Sequence, residues 1–214
     1  MFYSLIIPCY NEAETIIKVI NKAKKFVNEI IVVNDASTDL TSKLLKVQQD
    51  IVLIENKKRL GQEKSIENGI RHSKGDIIIT IDADLEHDPK DVPRLKAFFT
   101  KNDFDLVIGK RKHIPRKGEI ELNKIFEERY QITDVMNGFR IFKKEIFDEI
   151  GFYYKNGFYG LSFLIEVLEN YKVGQLDLSE TSRRKDPRIG IDSHIERQLK
   201  EIIKYAKKRL RADG

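Results

Sequence analysis

The sequence predicts an α/β domain: a mostly parallel central sheet flanked by helices. Three observations carry that expectation. Short runs rich in Ile and Val recur along the chain, they are apolar on both faces rather than alternating, and each is followed by a segment with apolar residues at helical spacing. Strands covered by helices on both sides need apolar residues on both faces, which accounts for the missing alternation.

The elements follow in order. Residues 3–8 (YSLIIP) predict the first strand and 12–26 the first helix. A second strand at 29–34 (EIIVVN) precedes a helix over 38–48, for which Ser37 and Thr38 offer capping hydroxyls. The third strand is 51–55 (IVLIE), followed by a helix over 61–73 that Gly75, after Lys74, would close in the left-handed conformation. DIIITI (76–81) is the fourth strand, and Asp88 before Pro89 reads as an N-cap with a first-turn proline. DLVIG (105–109) is the fifth.

After Gly109 the alternation loosens. Residues 110–133 are polar and charged, with a short amphipathic stretch around Ile120, Ile125 and Phe126. NGFRIF (137–142) predicts a strand, 160–171 a helix and VGQLDL (173–178) a further strand. Residues 181–192 (TSRRKDPRIGID) read as a mobile basic loop. Beyond it Ile195, Leu199, Ile202, Ile203, Ala206 and Leu210 form one stripe of a basic, amphipathic C-terminal helix. The expected division is a domain over 1–182 and a basic loop with terminal helix over 183–214.

Composition narrows the classes. With 214 residues, 41% hydrophobic and 34% charged, the chain is an ordinary globular one. Cys9 is its single cysteine, which excludes a disulfide framework and a cysteine-rich metal site and suits a small buried residue at a strand end. No run approaches the roughly 18 to 20 apolar residues of a membrane span, and the N-terminus lacks the pattern of a signal peptide, so a cytoplasmic chain is expected. The formal charge of +5 is uneven: residues 183–214 hold eleven Lys or Arg against five Asp or Glu. A basic helix with an aliphatic stripe suits peripheral contact with an anionic membrane or packing on the domain, and both readings stay open. No RNA or DNA motif accompanies the charge, so no nucleic-acid partner is expected.

Candidate chemistry sits just past the strands, because ligands of open parallel sheets bind outside the carboxyl ends. Pro8, Tyr10, Asn11 and Glu12 follow the first strand, Asn34, Asp35, Ser37 and Asp39 the second, and Asp82, Asp84 and Glu86 the fourth. Three acidic groups at one sheet edge suggest a cation, or a ligand that brings one. Asp82 and Asp84 are two apart on an extended segment, so both carboxylates can turn to one side. Hard oxygen ligands of that kind suit Mg²⁺ or Mn²⁺, whose shell phosphates and water complete. Gly61, Ser65 and Gly69 fall four apart on one helical face, which would bring the backbone close to a ligand or, for Gly69, to the sheet. Neither GxxxxGK[ST] nor GxGxxG is present.

Taken in order, IIPCYNE, VVNDASTD, GxxxSxxNG, DADLEHDP and DVMNGFR resemble the family 2 glycosyltransferases of GT-A fold, and within them the dolichol-phosphate mannosyltransferase-like, polyprenyl-phosphate sugar synthase branch. The resemblance covers about residues 4–145. It implies that Pro8, Tyr10, Glu12 and Asp35 hold the base and ribose of a nucleotide sugar, with Gly61, Ser65, Asp82 and Ala83 also at the donor. It implies that Asp82 and Asp84 hold the metal, with Glu86 where the branch commonly has Gln. Arg111, Arg140 and Arg188 are then candidates to position an acceptor phosphate, and Asp134 falls close to the position of a catalytic base.

The expected function is a metal-dependent, inverting transfer of a hexose from a donor of the GDP-mannose or UDP-glucose type to a polyprenyl phosphate. An anionic acceptor needs no base, only cations that position it. One alternative keeps fold and donor but passes the sugar to a saccharide or other soluble acceptor, with Asp134 as base. From other classes stand a nucleotidyltransferase and a non-catalytic nucleotide-sugar binding module.

Overall fold

In a computed structural model the chain runs β1 (Tyr3–Cys9), α1 (Ile16–Ala23), β2 (Glu29–Asn34), α2 (Thr41–Lys46), β3 (Val52–Glu55), α3 (Gln62–His72) and β4 (Ile77–Thr80). A 3₁₀ turn (Pro89–Asp91) then leads into α4 (Val92–Lys101), β5 (Leu106–Lys110), α5 (Lys117–Tyr130), β6 (Arg140–Lys143), α6 (Lys144–Ile150), α7 (Tyr159–Asn170), β7 (Val173–Asp177) and α8 (Ser193–Arg211). The structure describes residues 1–114, 117–151, 159–179 and 193–211. The 181–192 loop, Arg188 included, lies outside them.

The seven strands form one sheet in the order β3-β2-β1-β4-β6-β5-β7. All pairings are parallel except those of β6, which runs antiparallel between β4 and β5. Successive strand residues point to opposite faces, so each strand feeds two cores. Leu5 and Ile7 join α1, α2 and α4 on one face, while Ile6 joins α3, α5, α7 and α8 on the other. That two-sided demand is what makes the runs continuously apolar.

Helix α1 buries Ile16, Val19, Ile20 and Ala23, the i, i+3, i+4, i+7 face that an amphipathic helix presents to a sheet. The polar stretch after Gly109 contains the 14-residue helix α5, whose Leu122 and Phe126 reach the core. On α8 the aliphatic stripe is spent inside the molecule: Leu199, Ile202, Ile203, Ala206 and Leu210 are buried in the same core as Leu122 and Phe126. Lys207 pairs with Glu121 of α5 and Arg209 with Glu166 of α7. These five members of the stripe are thus unavailable to a bilayer, the Ile195 side chain lying outside the described ones, and their burial leaves attraction to one to the basic side chains around them.

Several local expectations are corrected. Ser37 and Thr38 do not cap α2; Asp39 does the equivalent work, its Oδ1 accepting from Thr41 N at 2.9 Å, because the helix starts three residues later than expected. Gly75 is not left-handed. It is glycine because of close approach: a Cβ there would stand 2.5 Å from Ser4 Oγ and 2.7 Å from the Phe2 carbonyl. Gly61 lies off the helical face, at the N-cap of α3 with φ 91°, so it is the residue that needs the left-handed region.

Gly69 does lie on the helix face, packed on the sheet. A Cβ there would stand 2.4 Å from Ile6 Cγ2 and 3.2 Å from Val33 Cγ2, both on rigid β-branched side chains. Gly69→Ala should therefore lower stability by about 1–3 kcal/mol in urea unfolding, despite the better helix propensity of alanine. A neutral or stabilising result would show that α3 can shift away from the sheet freely.

Candidate active site

β1 is flanked by β2 on one side and β4 on the other, so the chain reverses its direction of winding there and opens a crevice at the carboxyl ends. Pro8 sits at that opening. Pairing of β1 with β4 ends at Ile6 and Thr80, so a residue without an N–H is tolerated two positions later even in a central strand. The loops that leave the sheet here are tightly bent. Asn11, Ala36, Leu85 and Asp134 have φ of 55°, 58°, 66° and 54°. For Ala36 and Leu85, which lack a side chain able to bond locally, that conformation costs about 1–2 kcal/mol each.

The first two loops are bound to one another. Asn11 N donates to Ser37 Oγ at 3.0 Å and Thr38 N to Asn11 Oδ1 at 2.8 Å, while Glu12 N donates to Thr41 Oγ1 at 2.8 Å. Glu12 is buried and its Oε2 accepts from Thr15 Oγ1 at 2.6 Å. Asp35 is buried too, and its carboxylate accepts from Asn56 Nδ2, Leu60 N and Gly61 N, each at 2.8 Å. Asn56 also bonds Ser65 Oγ, which faces this network and not open space. The Tyr10 ring is covered by the Arg59 guanidinium, 4.2 Å from its centroid. Burial, then Glu12, Asp39 and Asp35, push the Cys9 thiol up to about 12, so it is inert.

The acids after β4 form the second part. Asp82 is half-buried, its Oδ1 accepts from Gln62 Nε2 at 2.6 Å, and it lies against Gly138, where a Cβ would stand 2.8 Å from both carboxylate oxygens. Asp84 Oδ1 accepts from Glu86 N at 2.9 Å, which tightens the turn that carries all three acids. Ala83 between them is buried. Burial and then the charge of Glu86 push the Asp82 carboxyl up to about 6. Burial and then Asp82 push Asp84 up as well. Among the described residues no three acidic, His or Cys side chains already converge on one point. The arrangement still fits a hard divalent cation: two half-buried carboxylates held close against their repulsion are stabilised by a positive charge, and a diphosphate would supply further oxygens. Asp88 is apart from them, capping the 3₁₀ turn by accepting from Lys90 N at 3.1 Å.

Arg111 and Asp134 come together, but as a closed pair. Arg111 donates to Asp134 from its backbone N at 2.8 Å, from Nε at 3.0 Å and from Nη2 at 2.6 Å, and Nη2 also reaches Glu119 at 3.0 Å. Asp134 is 0% exposed and takes a further bond from Asn137 Nδ2. Burial raises its pKa, but the bonds and charge of Arg111 outweigh it and hold the carboxyl below the usual range. A catalytic base needs an exposed lone pair and a pKa near the working pH; Asp134 has neither in this arrangement. Its place is to hold Arg111 and the turn before β6.

Arg140 opens into space instead. Nε donates to the Asn137 carbonyl at 2.9 Å and Nη2 to the Val135 carbonyl at 2.8 Å. Its guanidinium lines a cavity of about 360 Å³ with Phe142, Leu161, Phe163, Ile66 and Ile202 as an apolar wall and Gln62, Glu63 and Lys64 at the polar side. Gly138 and Gln62, which both touch Asp82, border the same cavity, so it adjoins the acid cluster.

Gln62, Asn56, Glu63, Gly138 and His87 were not singled out by the sequence. Gln62 and Glu63 directly follow Gly61, and Gly138 lies inside NGFR, so their neighbours in sequence were the available signal. His87 is 3% exposed, packs on Phe139 and has neither ring nitrogen hydrogen-bonded among the described residues; Asp82 Oδ2 is 3.7 Å from Nδ1. Burial lowers its pKa, so it is a neutral ring at the back of the acid cluster.

Comparison with known proteins gives the family and the fold. The family model described as glycosyl transferase family 2 matches residues 4–151. An uncharacterised protein of Methanocaldococcus jannaschii is 35% identical over 69% of this chain and 74% of its own length. A dolichol-phosphate mannosyltransferase of Pyrococcus furiosus is 30% identical over 70% of this chain, and a dodecaprenyl-phosphate galacturonate synthase of Rhizobium johnstonii is 32% identical over 57%. The match spans 48% and 39% of the length of those two relatives. Among solved structures, the GT-A enzyme glucosyl-3-phosphoglycerate synthase of Mycobacterium tuberculosis superposes with a TM-score of 0.79 at 20% identity, over 96% of this chain and 79% of that one.

The raised pKa of Asp82 has a measurable consequence for the metal-free protein. Between about pH 4 and pH 6 the folded state holds the Asp82 proton more tightly than the unfolded chain does, so this group's contribution to stability falls as pH rises through that window. At pH 7 with chelator present, Asp82→Asn should be more stable than the parent by about 1–2 kcal/mol in urea unfolding, a figure reduced for partial solvent screening. The gain should vanish near pH 4. A variant less stable at pH 7 would show that the bond from Gln62 outweighs the repulsion.

Proposed function

The chain belongs to glycosyl transferase family 2, and on that premise we propose that it transfers a hexose from a nucleotide sugar to a polyprenyl phosphate with inversion at the anomeric carbon. The observation that carries the acceptor class is the cavity beside Asp82: about 360 Å³ with an apolar wall, as a prenyl chain requires, and Arg140 among its polar lining residues. The names of the Pyrococcus and Rhizobium relatives point the same way.

The donor nucleotide belongs at the carboxyl ends of β1 and β2. There Pro8 and Tyr10 offer an apolar and aromatic surface to the base, Glu12 and Asp35 fix the loops around the ribose, Ser65 supports Asp35 through Asn56, and Gly61 and Ala83 let the backbone approach. Asp82 and Asp84, with Glu86, would hold Mg²⁺ or Mn²⁺, which when bound neutralises the charge that develops on the departing diphosphate. An acceptor phosphate oxygen forms the new bond to the anomeric carbon while the bond to the donor's diphosphate oxygen breaks, and the electron pair leaves with the diphosphate. An ionised phosphate oxygen carries no proton, so the step needs no base. The commitment of Asp134 to Arg111 is compatible with that chemistry and unfavourable to a hydroxyl acceptor activated by Asp134. Arg140 positions the acceptor, and Arg111 supports the turn that carries Arg140; Arg188 is a further acceptor candidate on sequence grounds.

Among the described residues no helix is long and apolar enough to cross a membrane. We place the reaction at the cytoplasmic face, with the protein reaching lipid peripherally through basic side chains.

A thermal-shift panel of nucleotides and nucleotide sugars with and without Mn²⁺ should show stabilisation by one donor, because ligand binding to the folded state raises its apparent stability. Sugar should then pass to a short-chain polyprenyl phosphate, with turnover about 10²–10³-fold lower in Asp84→Ala. Transfer to a saccharide alone would overturn the acceptor. Stabilisation by no nucleotide sugar would remove the donor site, and pyrophosphate release from a nucleoside triphosphate and a sugar phosphate would make the protein a nucleotidyltransferase.

A further inference from the structure

Glu63 is the one carboxylate among the described residues that line the cavity. It sits in the first turn of α3, two residues after the left-handed Gly61. Its Oε1 accepts from Gly160 N at 2.8 Å, and Gly160 is the second residue of α7, whose first-turn amides have no partner within the helix. Across Gly160 stands Arg140. A Cβ on that glycine would lie 2.9 Å from Glu63 Oε1 and 3.9 Å from Arg140 Nη1, so carboxylate and guanidinium face one another over a residue without a side chain. Nη1 has no hydrogen-bond partner among the described residues, while Nε donates to the Asn137 carbonyl and Nη2 to the Val135 carbonyl. A negative group with planar oxygens is thus held where one guanidinium N–H and one helix amide point into a cavity with an apolar wall.

We propose that Glu63 is a specificity-determining residue of this cavity: its carboxylate stands in for the anionic head of the acceptor and must give way for that head to bind. The inference rests on the acceptor reading above and deepens it. A phosphate at the end of an apolar chain offers the same charge and the same acceptor oxygens to Gly160 N and Arg140. While Glu63 stays, it repels that phosphate at close range in a half-buried setting. A neutral hydroxyl in the same position feels no such repulsion. Glu63 therefore sets how strongly the cavity discriminates between charged and uncharged heads, and it moderates affinity for the charged one.

E63Q is the informative variant, since its amide oxygen can still accept from Gly160 N while the charge is gone. Farnesyl phosphate and farnesol serve as probes in titration calorimetry, and the Kd for the nucleotide sugar reports that the variant is folded. Farnesyl phosphate should bind E63Q about tenfold more tightly than the parent, with farnesol and nucleotide sugar unchanged. E63A, which removes the group altogether, should move farnesyl phosphate in the same direction. Equal or weaker binding of farnesyl phosphate in both variants overturns the inference and leaves the acceptor reading standing. No binding of farnesyl phosphate to parent or variants, with nucleotide-sugar binding intact, overturns the acceptor reading and this inference with it. Lost turnover at unchanged farnesyl phosphate affinity would assign Glu63 to the reacting atoms and also overturn its role as a stand-in.

Discussion

The site depends on one strand that runs the wrong way. β6 lies antiparallel between β4 and β5, with Arg140 opposite both Thr80 and Ile108. An antiparallel strand begins where its parallel neighbours end, so the turn that leads into β6 is delivered to the carboxyl edge of the sheet, beside the acids that follow β4. Thr80 Oγ1 donates to the Gly138 carbonyl at 2.6 Å and fixes that turn, and Gly138 leaves room for the Asp82 carboxylate. Were β6 parallel, Asn137, Gly138 and Arg140 would arrive at the opposite edge, and the acid cluster would lose both its neighbour and its cation.

Two groups of charges have been treated differently by the fold. Asp134 and Glu119 are buried against a half-buried Arg111, and their hydrogen bonds to it offset the cost of leaving water. Asp82, Asp84 and Glu86 share one short turn, in which burial and the neighbouring negative charge raise the carboxyls of Asp82 and Asp84, and the ring beside Asp82, His87, is neutral. A fold optimised for stability alone would not keep them so. The closed group positions the turn into β6, and the open group is left able to respond to a ligand that brings positive charge. Between them Arg140 is the cation that remains usable.

Much of this was legible in the sequence, for reasons that can be named. Strands β1, β2, β4 and β5 were readable because two-sided burial makes each a continuous apolar run, β3 was readable as a short apolar run although it is a half-exposed edge strand, and the acids at the strand ends were readable because such strands end at a ligand-binding edge. The direction of β6 was not, since RIF is equally apolar in either orientation. Helix α5 showed only as a short amphipathic stretch because its buried face combines Leu122 and Phe126 with the polar Glu119 and Asn123, while Ile120 is exposed. The partner of Asp134 was invisible for a different reason: Arg111 and Asp134 are 23 residues apart, and nothing local says that the two close on each other. The stripe on α8 was seen, but whether it meets lipid or protein is a question about the surface it finds, and here that surface is α5 and the sheet.

The first turn of α3 ties these parts into one device. Asp35, at the donor edge, holds Leu60 N and Gly61 N, and so fixes the entry of the helix. The left-handed Gly61 then turns the chain so that Gln62 reaches Asp82 while Glu63, one residue on, reaches Gly160 on the far side of the cavity. Three consecutive residues thus touch Asp35 of the loop after β2, the acid cluster and the far wall of the cavity. Because adjacent backbone units of a helix cannot move independently, a shift of Asp35 on donor binding would be felt at Gln62 and at Glu63 together. On the proposed reading, Glu63 in the cavity is therefore joined through adjacent peptide units to the loop that Asp35 holds, and the two parts of the site would not respond independently.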